Sequence, residues 1–207
     1  MQEDTLKQFL PATESWFRKT FGEPTKIQRE AWPAIADGKH VLVSAPTGTG
    51  KTLSAFLVFI DQLGGLAERG ELKEELYVIY VSPLKSLAGD IRENLRKPLE
   101  GIGAEAPGES KAESRPGNPS IGQIQTAIRT GDTPQKERQR MVKHPPHILI
   151  ITPESLYLML TSKSGRQVLK TAKAIILDEL HALIDTKRGA HLMLSVARLD
   201  KLCGRRL

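Results

Sequence analysis

Two short stretches combine residue types and spacings that could do chemistry. The first is APTGTGKT (Ala45 to Thr52), which follows the apolar run HVLVSA and brings two glycines, a lysine and a threonine to its end. Gly48 and Gly50 let the backbone curl so that the N–H groups from Thr47 through Thr49 to Lys51 point inward. A helix N-terminus behind them adds the positive end of its dipole, and together they suit a phosphate. Lys51 supplies a mobile cation for the β- and γ-phosphates of a nucleoside triphosphate, and the Thr52 hydroxyl can ligate Mg²⁺. Phosphate loops usually open with glycine, where this chain has Ala45. An ordinary strand-to-helix turn is the plain alternative, and it leaves Lys51 and Thr52 without a task.

The second stretch is AIILDELHAL (Ala174 to Leu183), in which Asp178 closes an apolar run and Glu179 follows at once. An aspartate at a strand end can hold Mg²⁺ through water, and the next carboxylate can polarise an attacking water. Taken alone, the pair can also be read as a helix cap with an acidic first turn. Paired with a phosphate loop, each at the end of a strand-like run, it points to nucleotide hydrolysis.

The elements that must position these groups are visible as short β-branched runs: HVLVSA (40–45), YVIYVS (77–82), HILIIT (147–152), AIILD (174–178) and the weaker IQTAI (124–128). Near-continuous apolarity marks strands covered on both faces. Helix-like segments lie between them at 51–63, 84–96, 134–142 and about 154–160, the first expected to stop at Gly64-Gly65. Strands alternating with helices predict an α/β fold, a mainly parallel, doubly wound sheet with helices on both faces and ligands at the carboxyl ends of the strands. Trp16 and Trp32 sit in a helical region up to about residue 37 and are expected to pack those helices onto the sheet. The stretch 103–120, rich in Gly, Pro, Ser and charge, reads as an exposed loop inside one domain.

A family resemblance rests on these and further motifs. APTGTGKT with DELH resembles the motif I and motif II pair of superfamily 2 DExH-type helicases. FGEPTKIQREAWPAI resembles their Q motif, in which a glutamine reads adenine, and Gln28 holds that place. SPLKSLAGD (82–90) is similar to motif Ia and TPESL (152–156) to motif Ib. RTGDT (129–133) is similar to a loop that touches the nucleic-acid backbone. The wider pattern, with RTGDTP, TPESLYLML and DELHAL…KRGAHL, looks most like the large helicase-related (Lhr) group.

The resemblance implies a RecA-like ATP-binding motor domain that uses ATP and Mg²⁺ and binds single-stranded DNA or RNA, with 3′ to 5′ movement on DNA for the Lhr group. It implies Lys51, Asp178 and Glu179 in catalysis, and His181 linking the ATP site to a second motor domain. Pro83, Lys85, Thr130, Gly131, Thr152, Pro153 and Glu154 fall on the strand-contacting motifs. Lys85 can neutralise a phosphate; the neutral donors near Thr130, Gly131 and Thr152 position a strand without reading bases. No motif III and no second motor follow, so residues 1–207 read as one domain of a longer helicase.

Composition is compatible with this. Thirty Lys and Arg against 24 Asp and Glu give a net charge of +6, which suits a polyanion without demanding one. A single cysteine, Cys203, excludes an internal disulfide and reads as a small filler on a C-terminal helix. The other histidines, His144, His147 and His191, read as structural. Neither a signal peptide nor a membrane-spanning run is visible, so a cytoplasmic protein without a membrane partner is expected. A phosphate-loop kinase or protein-remodelling ATPase would need neither Gln28 nor Lys85 and the Thr152–Glu154 element. A module holding nucleotide only as a structural ligand would not need Lys51, Thr52, Asp178 and Glu179 all intact.

Overall fold

Proline and threonine start the first two helices. Helix α1 (Pro11–Phe21) opens with Pro11, whose missing N–H would have no partner there anyway, and ends at Gly22 with φ 76°. Helix α2 (Lys26–Ala36) is fixed by a capping box. The Thr25 hydroxyl accepts from the Gln28 N–H, and the Gln28 side chain accepts from the Thr25 N–H. Helix α3 (Lys51–Glu68) follows the phosphate-loop sequence, and α4 (Leu87–Glu105) comes next among the helices. A computed structural model describes residues 4–46, 50–83, 87–105 and 124–207. These group into two compact units, Met1–Leu72 with Asn94–Ile124, and Lys73–Glu93 with Gln125–Leu207.

The first unit is helical. Trp32 is fully buried, with Phe9 and Phe17 edge-on at 5.0 and 5.3 Å, and Trp16 meets Phe21 at 5.6 Å. Trp32 thus joins α2 to α1 through Phe17, while Trp16 packs on Phe21 within α1. Asp61 of α3 accepts from the Leu10 N–H at 2.9 Å, tying α3 to the start of α1; burial pushes its carboxyl pKa up. Helix α3 does not stop at Gly64-Gly65 as its sequence suggests. Both glycines are buried within it and it runs on to Glu68. A mid-helix glycine costs about 1 kcal/mol, and the burial of Leu63 and Ala67 on either side outweighs that.

The second unit is built on a parallel sheet: β1 (Val78–Val81), β2 (Thr126–Arg129), β3 (Ile148–Ile151) and β4 (Ala174–Leu177), in the order β2-β3-β1-β4. The strands are flush. Arg129 pairs with Ile151, Ile151 with Val81 and Val81 with Leu177, so all four carboxyl ends stand abreast. One face, with Ile79, Val81, Leu149 and Ile151, is covered by α5 (Gln135–Lys143), α6 (Pro153–Thr161), α7 (Lys163–Leu169) and α8 (Lys187–Cys203) through Met141, Leu156, Val168 and Leu192. On the other face Val78, Tyr80, Ile148 and Ile150 are equally buried, as the apolar runs require. Cys203 ends α8 half-buried, its thiol donating to the Leu169 carbonyl at 3.4 Å.

One expected strand is absent. Residues 41–46 join no ladder, and Leu42 is 83% exposed. Apolar, β-branched content shows only that a segment suits a pleated, half-buried surface; ladder bonds need a partner edge. The sheet among the described residues therefore has four strands rather than five.

Candidate nucleotide and nucleic-acid sites

In the helical unit the candidates gather where α2 meets the start of α3. Gly50 is left-handed (φ 84°) and precedes Lys51 with no side-chain cap on the helix. A Cβ at Gly50 would lie 2.8 Å from Gln28 Nε2 and push the glutamine amide aside, and the left-handed backbone favours glycine there. Gln28 itself is buried. Its Oε1 accepts from the Thr25 N–H at 2.9 Å, which leaves the carbonyl's second lone pair and the amide N–H groups for other partners. The Lys51 ammonium donates to the Ala45 carbonyl, back across the loop. Thr52 lies in the first turn of α3, half-buried. Thr47, Gly48 and Thr49 lie outside the described residues.

This arrangement fits a triphosphate. It offers an uncapped helix start, a cation that among the described residues binds a carbonyl alone, and a backbone kept free of side-chain bulk at Gly50. Mg²⁺ fits as well. No group of three or more His, Cys, Asp or Glu gathers among the described residues. Mg²⁺, however, commonly arrives with phosphates and needs only one or two protein oxygens.

In the sheet unit the candidates occupy the row just past the strand ends, where the ladder extends by one residue per strand. The Ser82 N–H donates to the Ile151 carbonyl at 3.0 Å, the Thr152 N–H to Arg129 at 3.3 Å and the Asp178 N–H to Val81 at 3.0 Å. Asp178, Pro83, Thr152 and Thr130 thus all leave the sheet at the same edge. Lys85 lies outside the described residues.

Asp178 is held at both oxygens: Oδ1 accepts from the Glu179 N–H at 2.9 Å and Oδ2 from the Tyr80 hydroxyl. Neither carboxylate caps a regular helix. A short 3-10 turn, Leu180–Ala182, follows instead, and Glu179 makes no capping bond. Glu179 is left-handed, at φ 50° and ψ 41°. Such a conformation costs on the order of 1–3 kcal/mol for a non-glycine residue and is typical of functional sites. His181, exposed, brings Nε2 to 3.2 Å from Glu179 Oε2.

The RTGDT loop is tightly bonded. Thr133 Oγ1 accepts from the Thr130 N–H at 2.9 Å, and Thr130 Oγ1 accepts from the Asp132 N–H at 3.2 Å. Arg138 of α5 donates to the carbonyls of Thr133 at 2.6 Å and Gly131 at 2.7 Å. Burial, with Arg138 nearby, lowers the pKa of Arg129. Among the described residues neither arginine is paired with a carboxylate, leaving positive charge beside the loop.

Helix α6 starts at Pro153 with no side-chain cap, and Thr152 Oγ1 donates to Ser155 Oγ at 3.1 Å. Glu154 accepts from Arg188 Nε at 2.5 Å and Nη2 at 3.1 Å; Arg188 holds its pKa below the usual carboxylate range. Tyr80, Arg138 and Arg188 are the residues that sequence reasoning missed. His147 is structural: buried, its Nδ1 accepts from the Gln125 N–H at 2.8 Å, and burial lowers its pKa.

A flush parallel sheet with carboxylates and neutral donors at its carboxyl edge, together with a Gly-Lys-Thr helix start, defines a RecA-like α/β domain. Residues 25–206 match the DEAD/DEAH box helicase model, and the chain belongs to that family. It is 48% identical over 194 residues to the ATP-dependent helicase Lhr-Core of Methanothermobacter thermautotrophicus, covering 94% of this chain and 22% of that one. It is equally 48% identical over 199 residues to the Lhr helicase/probable uracil glycosylase of Mycolicibacterium smegmatis, covering 96% and 12%. The chain thus spans less than a quarter of the length of these curated relatives.

The structure of Mycobacterium smegmatis helicase Lhr bound to ssDNA and AMP-PNP matches with a TM-score of 0.85 and 46% identity, over 98% of this chain and 24% of that one. The DEAD-box helicase Mss116 bound to ssRNA and UDP-BeF matches at 0.75 with 19% identity, over 97% and 37%, and shares the fold. Among the described residues no helix is long and apolar enough to cross a membrane.

Proposed function

We propose that residues 1–207 serve as one ATP-binding motor domain of a longer, ATP-dependent DExH-type helicase that tracks 3′ to 5′ on single-stranded DNA. The observation that carries this reading is the common row where four flush strands end, releasing Asp178–Glu179 from β4 and the neutral donors of Thr152 and Thr130 from β3 and β2. Phosphate-directed chemistry and strand-positioning groups there share one rigid support. The ssDNA and AMP-PNP named for the 46%-identical Lhr structure support the choice of ligands.

In this reading Thr47, Gly48, Thr49, Gly50 and Lys51 hold the phosphates, and Gln28 reads adenine. Thr52 and Asp178 supply oxygens to Mg²⁺, and Glu179 orients and deprotonates the attacking water. Pro83, Lys85, Thr130, Gly131, Thr152 and Pro153 line the track. Glu154, whose carboxylate is taken by Arg188, contributes its backbone N–H. His181 relays to the second RecA-like domain, which brings the cations that stabilise the transition state. The protein works in the cytoplasm.

Calorimetry with ATP, ADP and GTP tests the assignment. Adenine nucleotides should bind more tightly than GTP, and Gln28→Ala should erase that preference. Equal affinity for both bases in the unsubstituted chain overturns the role of Gln28. Fluorescence anisotropy should show weak single-stranded DNA binding that falls as salt rises; tight, salt-independent binding contradicts the phosphate-directed track.

A further inference from the structure

We propose that Tyr80 is a positioning residue for the Asp178 carboxylate, and that its hydroxyl sets how strongly nucleotide binding depends on Mg²⁺. The inference rests on the reading of Asp178 as a Mg²⁺ ligand. It goes beyond that reading by assigning a task to a residue 98 positions away in the sequence.

The sheet dictates the encounter. Tyr80 pairs with Ile176 in the β1–β4 ladder, and side chains alternate between faces. Asp178, two residues beyond Ile176, therefore projects on the same face as Tyr80, within reach of a phenol but not of a shorter polar side chain. Tyr80 is buried to 1% exposure between strands of apolar residues. A hydroxyl there needs a partner, and an ionised carboxylate can only accept from it.

With Oδ1 bound to the Glu179 N–H and Oδ2 to Tyr80, the carboxylate plane is fixed from the protein side. Each oxygen keeps a lone pair for an incoming ligand. Groups that orient a metal's ligands typically contribute about 10- to 100-fold in metal affinity when removed.

The test is a Mg²⁺ titration of the 207-residue chain with a fluorescent ADP analogue. Tyr80→Phe should raise the Mg²⁺ midpoint about 10- to 100-fold, with nucleotide affinity in EDTA unchanged. In an Asp178→Asn background the same substitution should add nothing, because the two act as one unit. An unshifted midpoint, or an equal shift in both backgrounds, overturns the proposal. Site-specific 4-fluorophenylalanine at position 80 keeps the ring and fills the hydroxyl's place without an O–H donor, and should raise the midpoint likewise; an unshifted midpoint there also overturns the proposal. This arm decides the matter should Tyr80→Phe fail to fold, which its thermal melt reveals. Failure of the Mg²⁺-ligand reading looks different: Asp178→Asn alone would then leave the midpoint in place.

Discussion

The two units hold their candidate residues by different means. In the sheet unit three of the candidate groups are tied down by side chains of other elements: Asp178 by Tyr80, Glu154 by Arg188, and the Thr130–Thr133 loop by Arg138. In the helical unit Lys51 rests on a carbonyl of its own loop, and residues 41–46 before it join no ladder. The Gln28–Gly50 approach joins α2 to the start of α3 there. The sheet unit is pre-organised for chemistry at fixed points, whereas the helical unit keeps its cation on a partner that a phosphate can readily replace. A motor that must grip and release nucleotide in each cycle benefits from this division, because only the releasable contact has to change.

Substitutions can break the contrast, and Glu179→Gln should give the largest effect. In a longer protein carrying a second motor domain it should lower ATP turnover by about 10³-fold or more while leaving ATP affinity nearly unchanged. Single-turnover hydrolysis beside equilibrium binding measures both. Comparable turnover by the isolated 207-residue chain, at about 10 per second, would show that no second domain is needed.

Next comes Lys51→Ala, expected to weaken ATP binding about 100-fold, since a charge-assisted phosphate contact is worth about 2–3 kcal/mol. Its melting temperature should hardly move, because among the described residues the Lys51 ammonium bonds to the Ala45 carbonyl alone. A large loss of stability would place Lys51 among structural groups and erase the distinction between the units.

Gly50→Ala should act on both counts. The left-handed backbone and the approach of Gln28 Nε2 predict about 1–3 kcal/mol of destabilisation. They also predict a disproportionate loss of adenine preference as Gln28 is displaced, seen by comparing ATP with GTP in calorimetry. Preserved preference would mean that the two residues are independent.

The smallest effect belongs to Arg188→Ala, because the pair with Glu154 is exposed and such pairs contribute about 0–1 kcal/mol. Its signature is in pH. Glu154 has a lowered pKa when folded, so the pair's contribution is present above the ordinary glutamate value of 4.5 and is lost as pH falls through the lowered value. Urea midpoints compared at neutral and acidic pH should differ less in the variant than in the unsubstituted chain.

Local signals in the sequence were legible. Lys51, Thr52, Asp178 and Glu179 stand out because each sits at the end of an apolar run, and four of the five expected strands appear within a residue or two. Partnerships across the fold were not legible. Nothing near Tyr80 in sequence shows that it reaches Asp178, and Arg188 lies 34 residues from Glu154. Gly64-Gly65 reads as a stop because glycine disfavours helix, yet burial of the helix decides the outcome. HVLVSA reads as a strand because apolarity measures suitability for a sheet and not the presence of an open neighbouring edge.

The flush ends of the four strands have a consequence for how such a chain can diverge. Side chains alternate with a period of two, so a one-residue insertion or deletion inside a strand exchanges its faces and moves its end by about 3.3 Å. One residue inserted in β1 between the ladder's start and Tyr80 would send the phenol to the opposite face, away from Asp178. Changes of length are therefore confined to the connections, while the strands can vary only by substitution. Among relatives, the distance along the chain from Lys51 to Asp178 is free to drift, but the spacing from each strand to the functional residue at its end is not.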